Sequence, residues 1–314
     1  KVAKPLAFNQ DIKAVIPVSE DVDPDYLYWF LRSQSLNVIT RGVKKGATVH
    51  SVQSGFIENL KVPMRRREDQ CRIVDLLARA EGIVCLRREA QQKAAELIPA
   101  IFIDMFGDPA TNPRGWPVVS MGELVREFRY GTSQKSGRVG VPVLRIPNVV
   151  DGAMDLREVK FVSLTEAECE RLRLVDGDLL FVRTNGNPDF VGRCSVYEGK
   201  VLRAAGIDGA ECVYASYLIR ARLANSRVSP TYLQAFLSSL RGRQLLRERA
   251  KTSAGQFNLN IDGLSSLPVL VAPCALQDSF RRQAQGVEAI LKQQAEALNK
   301  AQAVFNALLS RAFN

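Results

Sequence analysis

Leu60-Lys61-Val62-Pro63, followed by Glu68-Asp69-Gln70, and Leu267-Pro268-Val269, followed by Ala275-Leu276-Gln277, are two versions of one motif. Leu60 and Leu267, Val62 and Val269, and Gln70 and Gln277 each stand 207 residues apart. Each copy leads into a helical run, the first closing at Asp108 and the second at Asn314. Upstream, Pro24-Asp25-Tyr26-Leu27 matches Pro230-Thr231-Tyr232-Leu233 at a spacing of 206, so one insertion or deletion separates the two stretches. A period this long exceeds the ~20–50 residues of a solenoid repeat. It marks a duplicated domain plus helix, as in a chain that does one thing twice, at two places on a partner.

The helical runs carry a seam. Ile73, Leu77, Ala80, Val84, Gln91, Ala94, Ile98, Ile101 and Met105 step mostly by fours and threes, with Arg87, Arg88, Glu89, Gln92, Lys93 and Glu96 between them. The second run repeats the pattern with Phe280, Ala284, Val287, Leu291, Leu298, Phe305 and Leu308. Such spacing is that of coiled coils, and the runs are far longer than the typical globular helix. Two such helices in one chain most simply pack on each other, antiparallel. Pro99 lies inside the first and is expected to kink it, because proline lacks the N–H that an interior helical position needs.

Four segments follow. Residues 1–67 read as strands and loops around one short helix, with Ala14-Val15-Ile16-Pro17-Val18 β-branched and Tyr26-Leu27-Tyr28-Trp29-Phe30-Leu31 a buried helix face after Pro24. Residues 68–107 form the first long helix. The Gly- and Pro-rich stretch Gly107 to Pro117 stops it and opens a domain spanning 108–272. That domain reads as short strands, such as Val141–Ile146, Asp178–Arg183 and Ser216–Ala221, separated by turns at Gly131-Thr132-Ser133, Asp151-Gly152 and Asn185-Gly186-Asn187. A helix near 230–250 carries Arg241, Arg243, Arg247, Arg249 and Lys251. Residues 273–314 form the second long helix. The fold class is α+β, and only the tail of a counterpart to the 108–272 domain stands at the N-terminus. The opening on Lys1, directly in strand-like sequence, reads as an incomplete start.

The chain has 314 residues, room for about two domains. Its 43 lysines and arginines against 33 acidic residues leave a net charge of +10, which favours a polyanionic partner, nucleic acid before membrane. No apolar run approaches the ~20 residues of a membrane span, and no signal-peptide pattern opens the chain. Six cysteines without a CxxC pair read as the reduced thiols of a cytoplasmic protein. A single histidine leaves no ligand set for zinc.

Taken in order, these residues resemble the specificity (S) subunit of type I restriction–modification systems. The resemblance rests on Phe8 and Asn9-Gln10-Asp11-Ile12-Lys13-Ala14-Val15-Ile16-Pro17, on Gly55-Phe56-Ile57 with Val62-Pro63 and Gln70, and on Phe106-Gly107-Asp108-Pro109 with Asn112-Pro113-Arg114-Gly115-Trp116. Gly177 through Asn187 in the second domain carries it further. It covers essentially the whole chain. It implies two target-recognition domains, the first partial here, separated by two long antiparallel coiled-coil helices of the central and C-terminal repeats. It further implies double-stranded DNA as partner, two modification (methyltransferase) subunits that bind S-adenosylmethionine, and restriction subunits that use ATP and Mg. No cofactor is expected in this chain itself. The front of the first recognition domain, normal in the family, is missing.

No catalytic constellation stands out. Asn187-Pro188-Asp189-Phe190 is similar to the Asn-Pro-Pro-Phe/Tyr loop of amino-methyltransferases, but Asp189 replaces the second proline and no glycine-rich cofactor turn precedes it, so a simple turn is the better reading. His50 has Phe257 as its repeat counterpart, which points to a structural role. There is no GxxxxGK[ST] loop and no paired-carboxylate nuclease pattern. Major-groove readout needs Arg or Lys for guanine and Asn or Gln for adenine, presented on loops or helix ends. The candidates are Arg129, Tyr130, Thr132, Ser133, Gln134 and Lys135 in one loop, Arg145 and Asn148 after one strand, and Arg183, Asn185 and Asn187 after another. Arg243 and Arg247 repeat on one helix face as phosphate contacts would, positioning DNA without specifying it. The expected function is a non-enzymatic DNA-recognition subunit that reads a bipartite asymmetric target. The alternatives are a methyltransferase whose catalytic part is absent from this chain, and a coiled-coil scaffold without sequence readout.

Overall fold

The computed structural model describes every residue except 1–6, 8, 10–11, 42, 45–50, 151, 208–210, 225–226, 254 and 314. Phe8, Gln10, Asp11, His50 and Asp151 therefore lie outside the described residues. The chain divides into two compact units, one of residues 1–95 with 289–314 and one of residues 96–288.

The first unit holds α1 (Pro24–Ser33), α2 (Ser35–Arg41), the paired strands β1 (Val43–Lys44) and β2 (Ser51–Val52), α3 (Ser54–Glu58) and α4 (Arg67–Ala95). The second opens with α5 (Leu97–Phe106), β3 (Val118–Ser120), α6 (Met121–Leu124), β4 (Val125–Tyr130), β5 (Val141–Leu144), β6 (Val149–Val150), β7 (Ala153–Met154) and β8 (Lys160–Val162). It continues through α7 (Glu166–Leu172), β9 (Leu179–Val182), β10 (Thr184–Asn185), β11 (Cys194–Val196), α8 (Gly199–Ala204), β12 (Val213–Tyr214) and β13 (Leu218–Leu223). It closes with α9 (Pro230–Ser238), α10 (Leu240–Arg249), β14 (Lys251–Ser253), β15 (Gln256–Asn258), α11 (Ile261–Ser265) and β16 (Pro268–Leu270). The last helix, α12 (Cys274–Phe313), gives residues 274–288 to the second unit and 289–313 to the first.

The duplication inferred from sequence is a duplicated lock. In the first unit Gln70 is fully buried; its Oε1 accepts the Asp23 N–H at 2.8 Å, and its Nε2 donates to the Asp21 and Arg65 carbonyls at 2.8 and 2.9 Å. In the second unit Gln277 does the same: Oε1 accepts the Ser229 N–H at 2.7 Å, and Nε2 donates to the Arg227 and Ala272 carbonyls at 2.9 and 2.7 Å. Asp23 and Ser229 are the N-caps of α1 and α9, each followed by a proline whose missing N–H costs nothing at that position. One step on, the Tyr26 hydroxyl donates to the Pro63 carbonyl at 2.7 Å and that of Tyr232 to the Leu270 carbonyl at 2.8 Å. The repeated glutamine and tyrosine thus pin a capped helix to the chain entering the long helix, once in each unit.

The seam is borne out residue by residue. Leu77, Val84 and Ala94 are buried, Ile73, Ala80 and Gln91 half-buried, and Arg87, Arg88, Glu89, Gln92 and Lys93 exposed. In the first unit residues 73–77 line a cleft with Leu308, Arg311 and Ala312, while residues 81–88 line another with Gln302 and Phe305. Rising numbers on α4 meet falling numbers on α12, so the two helices run antiparallel there. The helix expected over 68–107 is interrupted at Glu96, three residues before Pro99, and the Ala100 N–H resumes the pattern by bonding to the Glu96 carbonyl at 3.2 Å. α12 is unbroken over 40 residues, about 60 Å at 1.5 Å per residue. None of the described helices is long and apolar enough to cross a membrane.

Three sequence expectations are corrected. Ala14–Val18 forms no strand: no described strand offers it a hydrogen-bonded partner, and Ile16 and Val18 are exposed. The described residues of the N-terminal segment hold three short helices, α1 to α3, where one was expected. The single helix expected near 230–250 is two, because Ser239 ends α9 and caps α10, accepting the Gly242 N–H at 3.1 Å. Lys251 stands on a strand, not on that helix.

In the second unit β9 explains the layering. It is central in the antiparallel sheet β11-β9-β13-β4, and all four of its residues are buried. Leu179 and Phe181 face one core with Phe102, Phe106, Tyr232 and Phe280, while Leu180 and Val182 face a second core with Val143, Tyr197 and Tyr214. Side chains alternate across a strand, so a continuous apolar run is what a strand between two cores requires. The aromatic cluster draws α5 and residues 274–288 of α12 into this unit: Phe106 meets Tyr232 at 4.7 Å and Phe280 at 5.5 Å between ring centroids. The unit boundary therefore falls inside the long helices, not at their ends. The Gly107–Pro117 connection is fastened as well, since the Trp116 Nε1–H donates to the Phe106 carbonyl at 2.9 Å and Asn112 bonds both backbone groups of Trp116.

Candidate nucleic-acid interface

Three candidate stretches far apart in sequence converge on one turn, Ala215-Ser216-Tyr217, which leads into β13. The Ala215 N–H donates to the Leu144 carbonyl at 2.9 Å, next to Arg145. The Ser216 N–H donates to the Thr132 carbonyl at 2.7 Å. The Arg183 N–H donates to the Tyr217 carbonyl at 2.9 Å. Backbone bonds of this kind hold positions more firmly than side-chain contacts, so the loop after β4, the end of β5 and the end of β9 present their side chains from one rigid junction. Side chains add a link: the Arg183 guanidinium lies 4.7 Å from the Tyr130 ring centroid, within cation–π range. Tyr217 on the turn is 58% exposed, a further flat aromatic surface that composition and periodicity did not single out.

Within this surface the candidates part company. Ser133, Gln134 and Lys135 are exposed, whereas Thr132 is buried and its hydroxyl accepts the Gln134 N–H at 3.1 Å, closing the turn. Asn148 is 1% exposed. Its Oδ1 accepts the Arg145 N–H at 2.9 Å and its Nδ2 donates to the Asp155 and Glu158 carbonyls at 2.8 and 2.9 Å. All its hydrogen-bonding groups are engaged, which corrects the expectation that it reaches a base edge. Arg145 is mostly covered and pairs with Glu158 at 3.3 Å. Arg129 is turned onto Glu127, its Nε donating at 2.6 Å. Glu127 also takes the buried Arg220 at 2.5 Å. Burial works against ionisation of Glu127, but the Arg129 hydrogen bond and the Arg220 charge outweigh it and hold its carboxyl below the ordinary range.

Asn185 and Asn187 form tandem side-chain turns: Asn185 Oδ1 accepts the Asn187 N–H, and Asn187 Oδ1 accepts the Asp189 N–H, both at 2.9 Å. Local bonding of this kind is what asparagine supplies in loops. It aims the amide oxygens inward. The Phe190 N–H bonds back to the Asn187 carbonyl at 3.0 Å, so Asn187–Phe190 is a turn. From α10, Arg243 donates to the Asp189 and Val191 carbonyls at 3.0 and 2.7 Å, and Arg247 pairs with the Asp189 carboxylate. The two arginines buttress the 187–191 loop from behind. Arg243→Met should cost about 1–3 kcal/mol, because two carbonyls lose a charged donor, and should speed amide exchange across 187–192. Arg247→Met should cost only ~0–1 kcal/mol, since its pair is solvent-exposed. Urea melts and hydrogen exchange check both, and equal effects would sink the distinction.

Sequence reasoning missed the sheet β10-β15-β14 that extends this surface. Its signal was weak: between Lys251-Thr252-Ser253 and Gln256-Phe257-Asn258 the glycine Gly255, with φ 75°, marks a turn. Among the described residues no three His, Cys, Asp or Glu side chains come together as a metal site.

No protein-family model matches the chain. It is 32% identical over 196 residues, 60% of its length, to the type I restriction enzyme EcoKI specificity subunit of Escherichia coli strain K12. It is 22% identical over 309 residues, 93% of its length, to the StySPI specificity subunit of Salmonella potsdam. The chain spans 40% and 65% of those relatives, less than two thirds of either. Among solved structures it is similar to a chain from work on complex assembly and conformational transition of the type I R-M system, with a TM-score of 0.57 at 20% identity over 93% of this chain and 71% of that one. It is also similar to the type I restriction–modification S subunit from M. genitalium, with a TM-score of 0.55 at 14% identity over 94% and 73%.

Proposed function

Because the chain belongs to the specificity-subunit family of type I restriction enzymes, we propose that it is a non-catalytic, sequence-specific DNA-recognition subunit working in the cytoplasm. It reads one half of a bipartite, asymmetric target through the 96–288 unit. It docks two methyltransferase subunits, which carry S-adenosylmethionine, and through them the ATP- and Mg-dependent restriction subunits. The observation that carries the reading is the convergence of Arg183, the Thr132–Lys135 loop and Tyr217 on one backbone-bonded junction of a chain with net charge +10. Arg183 stacked on Tyr130 keeps its donors in a fixed plane, the arrangement that favours bidentate contact with guanine. Ser133, Gln134, Lys135 and Asn187 add exposed donors around it. Phosphate contact falls to the exposed Lys135.

The test is selection of the full chain on a duplex library with a randomised core, then titration of the selected and a scrambled duplex at several salt concentrations. Arg183→Ala should lose ~1–3 kcal/mol on the selected duplex and little on the scrambled one. Lys135→Ala should weaken both alike and lower the salt slope by roughly one unit. Equal losses of Arg183→Ala on both duplexes would leave it a positioning residue and defeat the assignment.

A further inference from the structure

The three-stranded ribbon β10-β15-β14 has two unlike faces, and its pairing register says which is which. Asn185 pairs with Phe257, which pairs with Thr252; Thr184 pairs with Asn258, which pairs with Lys251. Paired residues in adjacent strands share a face, and successive residues along a strand alternate. Phe257 packs against the core that includes Phe106 and Tyr232, so its row, with Asn185 and the exposed edge residue Thr252, is the core-side row. Thr184, Gln256, Asn258 and Lys251 share the opposite face. The Thr184 hydroxyl donates to Gln256 Oε1 at 3.1 Å across that face, which confirms the shared side. Gln256 and Lys251 are exposed and Thr184 and Asn258 half-exposed. Lys251 has no ion pair with any described residue, and no carboxylate stands among these four.

We propose that this outer face enters the major groove and that Gln256 and Asn258 are specificity-determining residues, with Lys251 at a flanking phosphate. The proposal rests on the DNA-reading function above and deepens it. The β14–β15 pair, which carries Lys251, Gln256 and Asn258, is a two-stranded ribbon of the kind the major groove admits, and Gln and Asn amides match the paired donor and acceptor of adenine. The ribbon is also continuous with the junction already described: the Leu259 N–H, just after β15, donates to the Arg183 carbonyl at 2.8 Å. By the same register Arg183 stands level with Leu259 on the core-side row, so the outer face adjoins the junction through the backbone and not through the Arg183 side chain. The hairpin tip is kept narrow by Gly255, whose φ of 75° suits glycine.

The full chain, with Gln256→Ala, Asn258→Ala, Lys251→Gln and Gln256→Arg versions, is selected on a duplex library with a randomised core, and the enriched motifs are compared. Gln256→Ala and Asn258→Ala should each flatten one position of the wild-type motif by about tenfold or more and leave the others intact. Gln256→Arg should shift that position toward guanine, a gain that no loss of folding can mimic. Lys251→Gln should keep the motif and weaken all duplexes. A wild-type motif that all four variants reproduce unchanged would overturn the ribbon proposal while leaving DNA reading intact. A wild-type chain that enriches no motif would overturn the DNA reading and the ribbon with it.

Discussion

Gln277→Leu is expected to lower the unfolding free energy by about 3–6 kcal/mol, because three backbone groups lose a buried hydrogen-bond partner at once. Leucine fills nearly the same volume, so the cost is one of hydrogen bonding, not of a cavity. Gln277 is 2% exposed, and no water can replace it without opening the junction of α9, α12 and the chain after β16. The groups that lose this partner are the Ser229 N–H and the Arg227 and Ala272 carbonyls. Chemical denaturation should show the loss, and a thermal scan should show a fall of roughly 10–20 °C for the melting of this unit. Gln70→Leu should do the same in the first unit, through Asp23, Asp21 and Arg65. A melting change within about 2 °C for either variant would show that the lock is incidental to stability.

Phe305→Ala and Val304→Ala should separate sharply although the residues are neighbours on α12. Phe305 is buried, its ring 5.8 Å from that of Trp29, with the Arg32 guanidinium 5.1 Å from its centroid. Removing it should cost about 3–5 kcal/mol through lost contacts and an unfilled cavity. Val304 points to solvent, and its truncation should stay within roughly 0.5 kcal/mol. The contrast tests the packing of α12 on α1 and α4 in the first unit without introducing a charge. Comparable small effects at both positions, read from urea titrations, would mean that the seam carries no packing energy.

The seam of both helices was legible because burial on a helix repeats at fixed intervals, and those intervals survive whatever the helix packs against. Phe102 and Phe106 escaped that reading: they lie beside the seam and are buried by Tyr232 and Phe280, residues more than a hundred positions away. Residue chemistry singled out Arg183 and the 129–135 loop as separate candidates, since exposed turns with mixed polar groups are locally encoded, but it could not bring them together. It failed for Asn148, whose amide is spent on the Asp155 and Glu158 carbonyls. It also gave Arg243 no hint of its loop partners, because a guanidinium looks the same in sequence whether it faces a phosphate or a carbonyl.

By itself the sequence determined the duplication, the long helices, the break near Pro99 and the basic character of the chain. Each of these is set by local periodicity, by proline's missing donor or by a sum of charges, none of which depends on distant contacts. The tertiary structure alone decided which of two adjacent residues faces outward on β10, Thr184 and not Asn185. It also decided that Ala215–Tyr217 joins three stretches into one surface. Strand register and backbone bonds between remote segments fix such choices, and a one-residue slip reverses every side chain.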